Sequence, residues 1–277
     1  MLINNKKFDF ENKTYTMGIL NLTPDSFSDG GSYTDVEVAI KRAKKMVEEG
    51  VDIIDVGAES TRPGADYIEE EEELKRILPV IKRLVTEVDV PISIDTYKSR
   101  VAEECIKVGA HIINDIKGLK GDPNMAGVIA KYGVSVIIMH IKGDPKNMQK
   151  NPEYDNIIED VKESLEESIE IAVKAGICPK NIILDPGIGF GKTFEDNLEI
   201  IKKLCEFKKL EYPILIGASR KGFIGNILGT PPLDRVEGNL AIAVISAYNG
   251  ASIIRVHEVK ETVRALKVAD SVKLIKD

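Results

Sequence analysis

Tryptophan is absent, and only 5% of the chain is aromatic. Helices must therefore pack mainly through Ile, Val, Leu and Ala. No apolar run approaches the roughly 20 residues that cross a bilayer, so neither a membrane span nor a membrane partner is expected. The opening stretch, MLINNKKFDFENK, has no signal-peptide core. An excess of basic charge is missing as well. The formal net charge is -7, which argues against a nucleic-acid partner or an anionic surface. Cysteine is scarce: Cys105, Cys178 and Cys205 are isolated, odd in number and without a CxxC spacing. That excludes a disulfide framework and a zinc site, and reads as buried thiols in a reducing cytoplasm. Pro/Ser-rich and low-complexity linkers are lacking too, so residues 1–277 read as one domain.

What remains is a regular alternation. Short apolar runs at 14–20, 52–56, 91–95, 111–115, 134–139, 182–185, 213–217 and 252–256 read as strands buried on both faces. Between them, 36–49, 69–88, 99–108, 124–131, 157–175, 195–209, 236–249 and 259–276 carry helical periodicity. Gly50, Gly109, Gly133, Gly176 and Gly250 stand where helices should stop in the left-handed conformation. The acidic run 69–73 reads as a solvated first helical turn, where carboxylates suit the dipole. Eight strands alternating with eight helices over about 250 residues is the count of a (β/α)8 TIM barrel, an α/β fold. Residues 3–10 precede the first barrel strand and predict a short N-terminal hairpin under the barrel.

In such a barrel chemistry sits at the C-terminal strand ends. Here every end carries a polar or ionisable group: Asn21, Asp55 with Glu59, Asp95, Asn114 with Asp115, His140, Asp185, Ser219 with Lys221, and Arg255 with His257. Each singly reads as a cap or turn residue. Eight at one mouth point to a site. His111 begins a strand, at the wrong end for chemistry, and His140 suits orienting the loop after it.

The most informative stretch is 181–193, NIILDPGIGFGKT. A buried strand ends on Asp185 and runs into a glycine-rich turn that can approach a ligand closely. It imitates a Walker A loop, but the first glycine of that motif would fall on Pro186. Asp95, Asn114 and Asp185 offer two carboxylates and an amide, which suit the hydrogen-bonding edge of a flat heterocycle or a hard metal ion. Spacing leaves both open. Loop 21–33 is long and polar with an unaccounted Phe27, the profile of a lid. Loop 57–65 places Thr61, Arg62 and Pro63 over the mouth, and Arg62 is a good anion partner. Lys221 stands near the start of a short extra helix, where a cation opposes the dipole and so points to function. Arg255 and His257 are two apart on a strand and share a face, which suggests phosphate binding after the last strand.

Taken with MGILNLTPDSFSDGG, ESTRPGA, ISIDTYK, IIND, the Met139-His140 pair, LDPGIGFGK, SRKGFIG and RVHEV, the chain resembles the dihydropteroate synthase family of pterin-binding barrels from Met17 to Val259. Gly222, Glu258 and Ala58 depart from its commonest residues, at positions that bear no ligand in the family pattern. The resemblance implies a transferase of folate biosynthesis. It would join (7,8-dihydropterin-6-yl)methyl diphosphate to 4-aminobenzoate by an SN1-like step, in a cytoplasmic homodimer packed through helices of the C-terminal third. Carried over, Asp95, Asn114, Met139, Asp185 and Lys221 would hold the pterin. Asn21, Thr61, Arg62, Arg255 and His257 would hold the diphosphate, and Phe27, Pro63, Ser219 and Lys221 the aminobenzoate. Asp95, Asp185, Lys221, Arg255 and His257 would be catalytic, and Asn21 would help bind a Mg2+ cofactor.

Three competing readings stand beside this one. A methyltetrahydrofolate:corrinoid methyltransferase has a similar pterin floor but no use for a diphosphate clamp. A Schiff-base aldolase would use Lys221. A degenerate pterin binder would not need the intact ionisable set.

Overall fold

The computed structural model describes residues 1–22, 33–60, 64–150 and 152–275. Its core is a ring of eight parallel strands: β3 (Tyr15–Asn21), β4 (Ile53–Gly57), β5 (Ile92–Asp95), β6 (Ile112–Asp115), β7 (Ser135–Met139), β8 (Ile182–Asp185), β9 (Leu215–Ile216) and β10 (Ile253–Val256). Each pairs with its sequence neighbour, β10 returns to pair with β3, and a parallel bridge from Leu184 to Ile214 closes the ring. The helices between are α1 (Tyr33–Glu48), α2 (Glu70–Glu87), α3 (Ser99–Lys107), α4 (Met125–Tyr132), α5 (Ile157–Lys174), α6 (Phe194–Lys202), α8 (Val236–Tyr248) and α9 (Val259–Lys273), with a short α7 (Gly222–Leu228) after β9. The expected (β/α)8 barrel is therefore observed, and the extra helix begins at the residue after Lys221.

Side-chain alternation assigns each strand residue to one of two cores. Ile54, Val56, Ile92, Ile94, Ile113, Val136, Ile138, Leu184, Ile216 and Ile254 are buried with the inner faces of the helices, among them Ile40, Ile77, Ile129 and Leu165. The alternate set, Met17, Ile53, Ile112, Ile137, Ile183, Leu215 and Ile253, is buried together inside the barrel. Each such residue stabilises the fold by roughly 1.5–3 kcal/mol. Two residues further along the same strands the inward positions turn polar: Asp55, Asn114, Asp185 and Arg255, joined by Asp95 two residues beyond Ser93. The barrel is apolar at its base and ionisable at its mouth because the sequence changes character within one turn of the alternation.

The hairpin consists of β1 (Leu2–Ile3) and β2 (Lys6–Lys7), paired antiparallel. Asn4 and Asn5 take positive φ, 48° and 57°, which two-residue hairpin turns require and Asn tolerates. Ile3 and Phe8 join the inner cluster, and the Phe8 ring lies 4.6 Å from that of Tyr15. The five glycines expected at helix ends all take positive φ.

Three expectations need correction. The helix predicted over 195–209 ends at Lys202 and continues as a 3-10 segment, Leu204–Leu210, in which Leu204 and Phe207 are buried at the three-residue spacing of that helix type. Cys105 is buried, but Cys178 and Cys205 are exposed, each on a short 3-10 segment or its flank. The acidic run is not wholly solvated: Glu73 is buried and pairs with Lys98, which also pairs with Glu59.

Candidate functional site

Arg255 lies at the centre of the mouth. Its Nε donates to Asp55 Oδ2 at 2.6 Å and its Nη2 to Asp95 Oδ2 at 2.7 Å. A Cβ on Gly217, just past the neighbouring strand β9, would lie within van der Waals contact of the Arg255 side chain, so the glycine leaves that flank open. Asn114 Nδ2 donates to the same Asp55 oxygen at 3.2 Å. Burial would lower the Arg255 pKa, but the Asp55 and Asp95 charges reverse this and hold the guanidinium protonated. Burial pushes Asp95 up to about 7, with the Arg255 charge opposing it. Asp55 Oδ1 and Asp95 Oδ1 are buried without a hydrogen-bond partner. Unsatisfied carboxylate oxygens of this kind suit a ligand that brings N–H donors.

Asp185 closes the floor from the opposite side. Its Oδ1 accepts from the Gly187 amide at 2.7 Å. Burial raises its pKa to about 6, against that hydrogen bond and the charges of Lys192, Lys221 and Arg255. Asp185 and Arg255 therefore stand at the same end of the barrel, within electrostatic reach of each other.

The turn after Asp185 is built on close backbone contact. A Cβ at Gly187 would fall 1.9 Å from the His140 carbonyl oxygen, and one at Gly191 2.2 Å from that of Lys142. Both glycines have positive φ. Lys192 points inward and is buried. Its Nζ lies 2.8 Å from His140 Nδ1 and donates to the Phe190 carbonyl at 3.1 Å. Burial brings Lys192 down to about 7. Burial, then the Lys192 charge, lower His140 to about 2, so its ring is neutral and accepts. The His140 ring is thus tied to the turn after β8 through Lys192, rather than to the loop that follows it. Phe190 is packed with Met139, Ile116 and Met148. Lys221 Nζ stands 4.0 Å from the centre of its ring, a cation-π distance.

Lys221 is held from below. Arg220, just before it, takes the left-handed conformation at φ 62°. Arg235 Nη1 donates to the carbonyls of Arg220 at 2.9 Å and Lys221 at 3.0 Å. Ser219 Oγ lies 3.0 Å from His257 Nδ1. Arg255 and His257 thus take different partners, Arg255 the acidic floor and His257 the Ser219 turn. Asn21 ends β3 beside Gly57.

The structure brings together Asp95, Asn114, Met139, Asp185, Ser219, Lys221, Arg255 and His257 at the mouth. Phe27, Thr61, Arg62 and Pro63 lie outside the described residues. Asp115 serves the fold: its carboxylate accepts from Lys117 N at 2.8 Å and Leu119 N at 2.9 Å, and burial raises it to about 6. Glu59 is likewise taken by Tyr97 and Lys98, and His111 Nδ1 accepts from Ile92 N at 3.1 Å. Sequence reasoning assigned no role to Asp55, Phe190, Lys192 or Glu258. Asp55 was already placed at the mouth as a strand end, and its inward register two residues beyond Ile53 would have assigned it to the floor.

A closed barrel whose mouth combines buried, partly unsatisfied carboxylates with basic side chains defines a (β/α)8 enzyme for a polar heterocycle bearing an anionic group. Residues 17–257 match the model of a family described as pterin binding enzyme. A dihydropteroate synthase of Clostridium beijerinckii is 51% identical over 271 residues, 98% of each chain. A Clostridium difficile dihydropteroate synthase, solved in the presence of pteroic acid, superposes with a TM-score of 0.91 at 49% identity, covering 96% of this chain and 99% of that one. A Yersinia pestis dihydropteroate synthase in a sulfonamide complex gives 0.94 at 43% identity, covering 99% of both. The chain belongs to the pterin-binding enzymes and, within them, to the dihydropteroate synthase family.

Proposed function

We propose that this chain condenses (7,8-dihydropterin-6-yl)methyl diphosphate with 4-aminobenzoate, releasing diphosphate and 7,8-dihydropteroate in folate biosynthesis. The observation that carries the reading is the floor, where Asp55, Asp95 and Asn114 are joined through Arg255 and Asp55 and Asp185 feels the charges of Arg255 and Lys221. A pterin presents amino and ring N–H groups along one edge, which carboxylates accept and an amide complements. Asp95, Asn114 and Asp185 are the residues we assign to that edge, with Met139 and Lys221 against the ring.

An arylamine is a weak nucleophile, so rate must come from departure of the leaving group. The bond from the pterin methylene to diphosphate oxygen breaks, the arylamine nitrogen bonds to that carbon, and the amine gives up a proton. Ionised Asp95 and Asp185 favour the positive charge that develops on the pterin, while Arg255, His257, Thr61 and Arg62 are assigned to the departing diphosphate. Ser219, Lys221, Phe27 and Pro63 are assigned to the aminobenzoate, and the Phe190 ring under Lys221 supports an aromatic neighbour there. We expect no covalent enzyme intermediate, and accumulation of a pterin–enzyme adduct in a rapid quench would refute that step.

The residues present fit Mg2+ carried by the diphosphate. That ion commonly takes one or two protein oxygens and fills its shell with phosphates and water. Asn21 would supply a carbonyl oxygen, and among the described residues no group of three or more His, Cys, Asp or Glu forms a cage. When bound, the ion would add positive charge at the leaving group.

A homodimer is the second part of the proposal. Ile245 and Tyr248 of α8 and Val268 and Val272 of α9 are exposed apolar side chains on two helices that pack together, a face suited to a second copy. Sedimentation of the chain across a dilution series tests this, and a monomer at micromolar concentration would refute it. Among the described residues no helix is long and apolar enough to cross a membrane. With three unpaired cysteines, that supports the cytoplasm as its location. The function itself is tested by release of diphosphate with and without 4-aminobenzoate. Release should need both substrates and should be inhibited by sulfonamides. Release with no dependence on the amine would overturn the reading.

A further inference from the structure

Glu258 follows His257 and lies at a position that carries no ligand in the family pattern, yet it is the hub of the last two loops. Its Oε1 accepts from Arg220 Nε at 2.7 Å and from Arg220 Nη2. Its Oε2 accepts from Asn239 Nδ2 at 3.0 Å and from Ser219 Oγ at 3.2 Å. Ser219 Oγ in turn lies 3.0 Å from His257 Nδ1 and accepts from the His257 backbone N–H at 3.4 Å. Asn239 Oδ1 also accepts from the Arg220 amide at 2.9 Å.

The protons in this chain of contacts can be counted. A hydroxyl has one proton to give, and an ionised carboxylate has none. Glu258 pairs as a carboxylate with the Arg220 fork. If the Ser219 proton pointed at His257, the two oxygens of Ser219 and Glu258 would face each other with no hydrogen between them. The Ser219 proton therefore belongs to Glu258. The short Ser219–His257 contact must then be donated by the ring, which puts a proton on Nδ1.

We propose that Glu258 is a positioning residue for the reaction: acting through the Ser219 hydroxyl, it holds the His257 ring with its proton on Nδ1. The same carboxylate ties the turn that carries Ser219 and Lys221 to the strand that carries His257. One half-buried hub thus sets the spacing of the groups assigned to the two substrates. This rests on the reaction proposed above, but the proton assignment itself does not.

The chain has 3 histidines, so 15N-histidine labelling gives three rings to assign, and the tautomer of a neutral ring is read from its long-range proton–nitrogen correlations. At about pH 8.5, where an imidazole of ordinary pKa is neutral, the wild-type chain should show His257 in the Nδ1–H form without any substrate. In Glu258→Gln the Arg220 fork keeps the amide carbonyl and turns the amide nitrogen toward Ser219. The serine proton must then swing to His257, and the ring should change to the Nε2–H form. In the diphosphate-release assay Glu258→Gln should lose about tenfold or more in kcat, while affinity for a pterin lacking the diphosphate stays within about twofold. Glu258→Asp, which restores a carboxylate, should recover the Nδ1–H form and most of kcat. An unchanged tautomer in Glu258→Gln overturns the proposal, and so does a changed tautomer with unchanged kcat. Should Glu258→Gln fail to fold, Ser219→Ala serves: loss of the fixed Nδ1–H form supports the relay, and its persistence refutes it. If the wild-type chain released no diphosphate, the proposed function would fail while the tautomer measurement still judged the relay.

Discussion

Replacing Arg255 by Met should cost stability by an amount that depends on pH. The guanidinium is the counter-charge shared by Asp55 and Asp95, at 2.6 and 2.7 Å, and Asp55 is fully buried. Removing one partner from a buried pair typically costs about 3–5 kcal/mol, because the other charge stays behind. Protonation relieves part of that cost. Asp95 titrates near 7 in the wild type against an ordinary value of 3.8, and Arg255 is what restrains it from rising further. In Arg255→Met its folded pKa rises again. The sign follows: a raised carboxyl contributes stability that is complete below its unfolded pKa and is lost as pH climbs to the folded value. At about pH 5.5 Asp95 is protonated in both chains, and its share of the deficit vanishes. Above about 7 the wild type ionises Asp95 beside its partner and the variant cannot. The deficit should therefore widen by about 1.4 kcal/mol per unit, or about 2 kcal/mol at pH 8.5. Urea unfolding of both chains at the two pH values reads this directly. Equal deficits at both, or a deficit under about 1 kcal/mol at pH 8.5, would refute the shared counter-charge. Turnover should fall about 100- to 1,000-fold, with pterin affinity falling less.

Three other outcomes follow from the same kind of accounting. Lys98→Met leaves Glu73 and Glu59 without the ammonium that lies 2.7 and 2.5 Å from them. It should lower unfolding free energy by about 3–5 kcal/mol, and a loss below about 1 kcal/mol by urea titration would show the network to be idle. Gly187→Ala must move the His140 carbonyl out of the way at a positive φ. It should cost about 3 kcal/mol or more and abolish pterin binding by calorimetry, whereas wild-type binding would contradict the close approach. Lys192, held near 7 by burial, has a folded pKa below its unfolded one, so its contribution is complete at high pH and is lost as pH falls to about 7. Between about pH 7 and 9 it should make the wild type gain about 1.4 kcal/mol per unit from this group. In Lys192→Met that slope should disappear, and an identical slope in both chains would dismiss the assignment.

The barrel was legible because it is a local property repeated: a short apolar run, a glycine stop and an amphipathic helix each reveal themselves within a few residues. The strand-end residues were legible for the same reason, since a polar residue closing an apolar strand is visible in one line. What the sequence concealed are partnerships made across loops. Lys192 reads as a mock phosphate-binding lysine and is instead buried against His140, the residue just past β7 and some fifty positions earlier. Glu73 is indistinguishable from its four acidic neighbours until Lys98 claims it. Glu258 reads as a neutral departure from a family pattern, and its four contacts come from β9's turn and α8. The 195–209 segment has helical spacing throughout, and only the pull of Leu204 and Phe207 into the core tightens its second half. The unfilled carboxylate oxygens of Asp55 and Asp95 have no sequence signature at all.

The hairpin beneath the strands carries a consequence for traffic. With the inward strand residues packed into one core and Ile3 and Phe8 joining it at the base, the barrel is solid at one end, and everything must come and go through a single doorway. The compound that lies deepest has to arrive first, and whatever sits above it must clear before the pocket can be refilled. A chamber shaped this way enforces a queue on its visitors without any moving part.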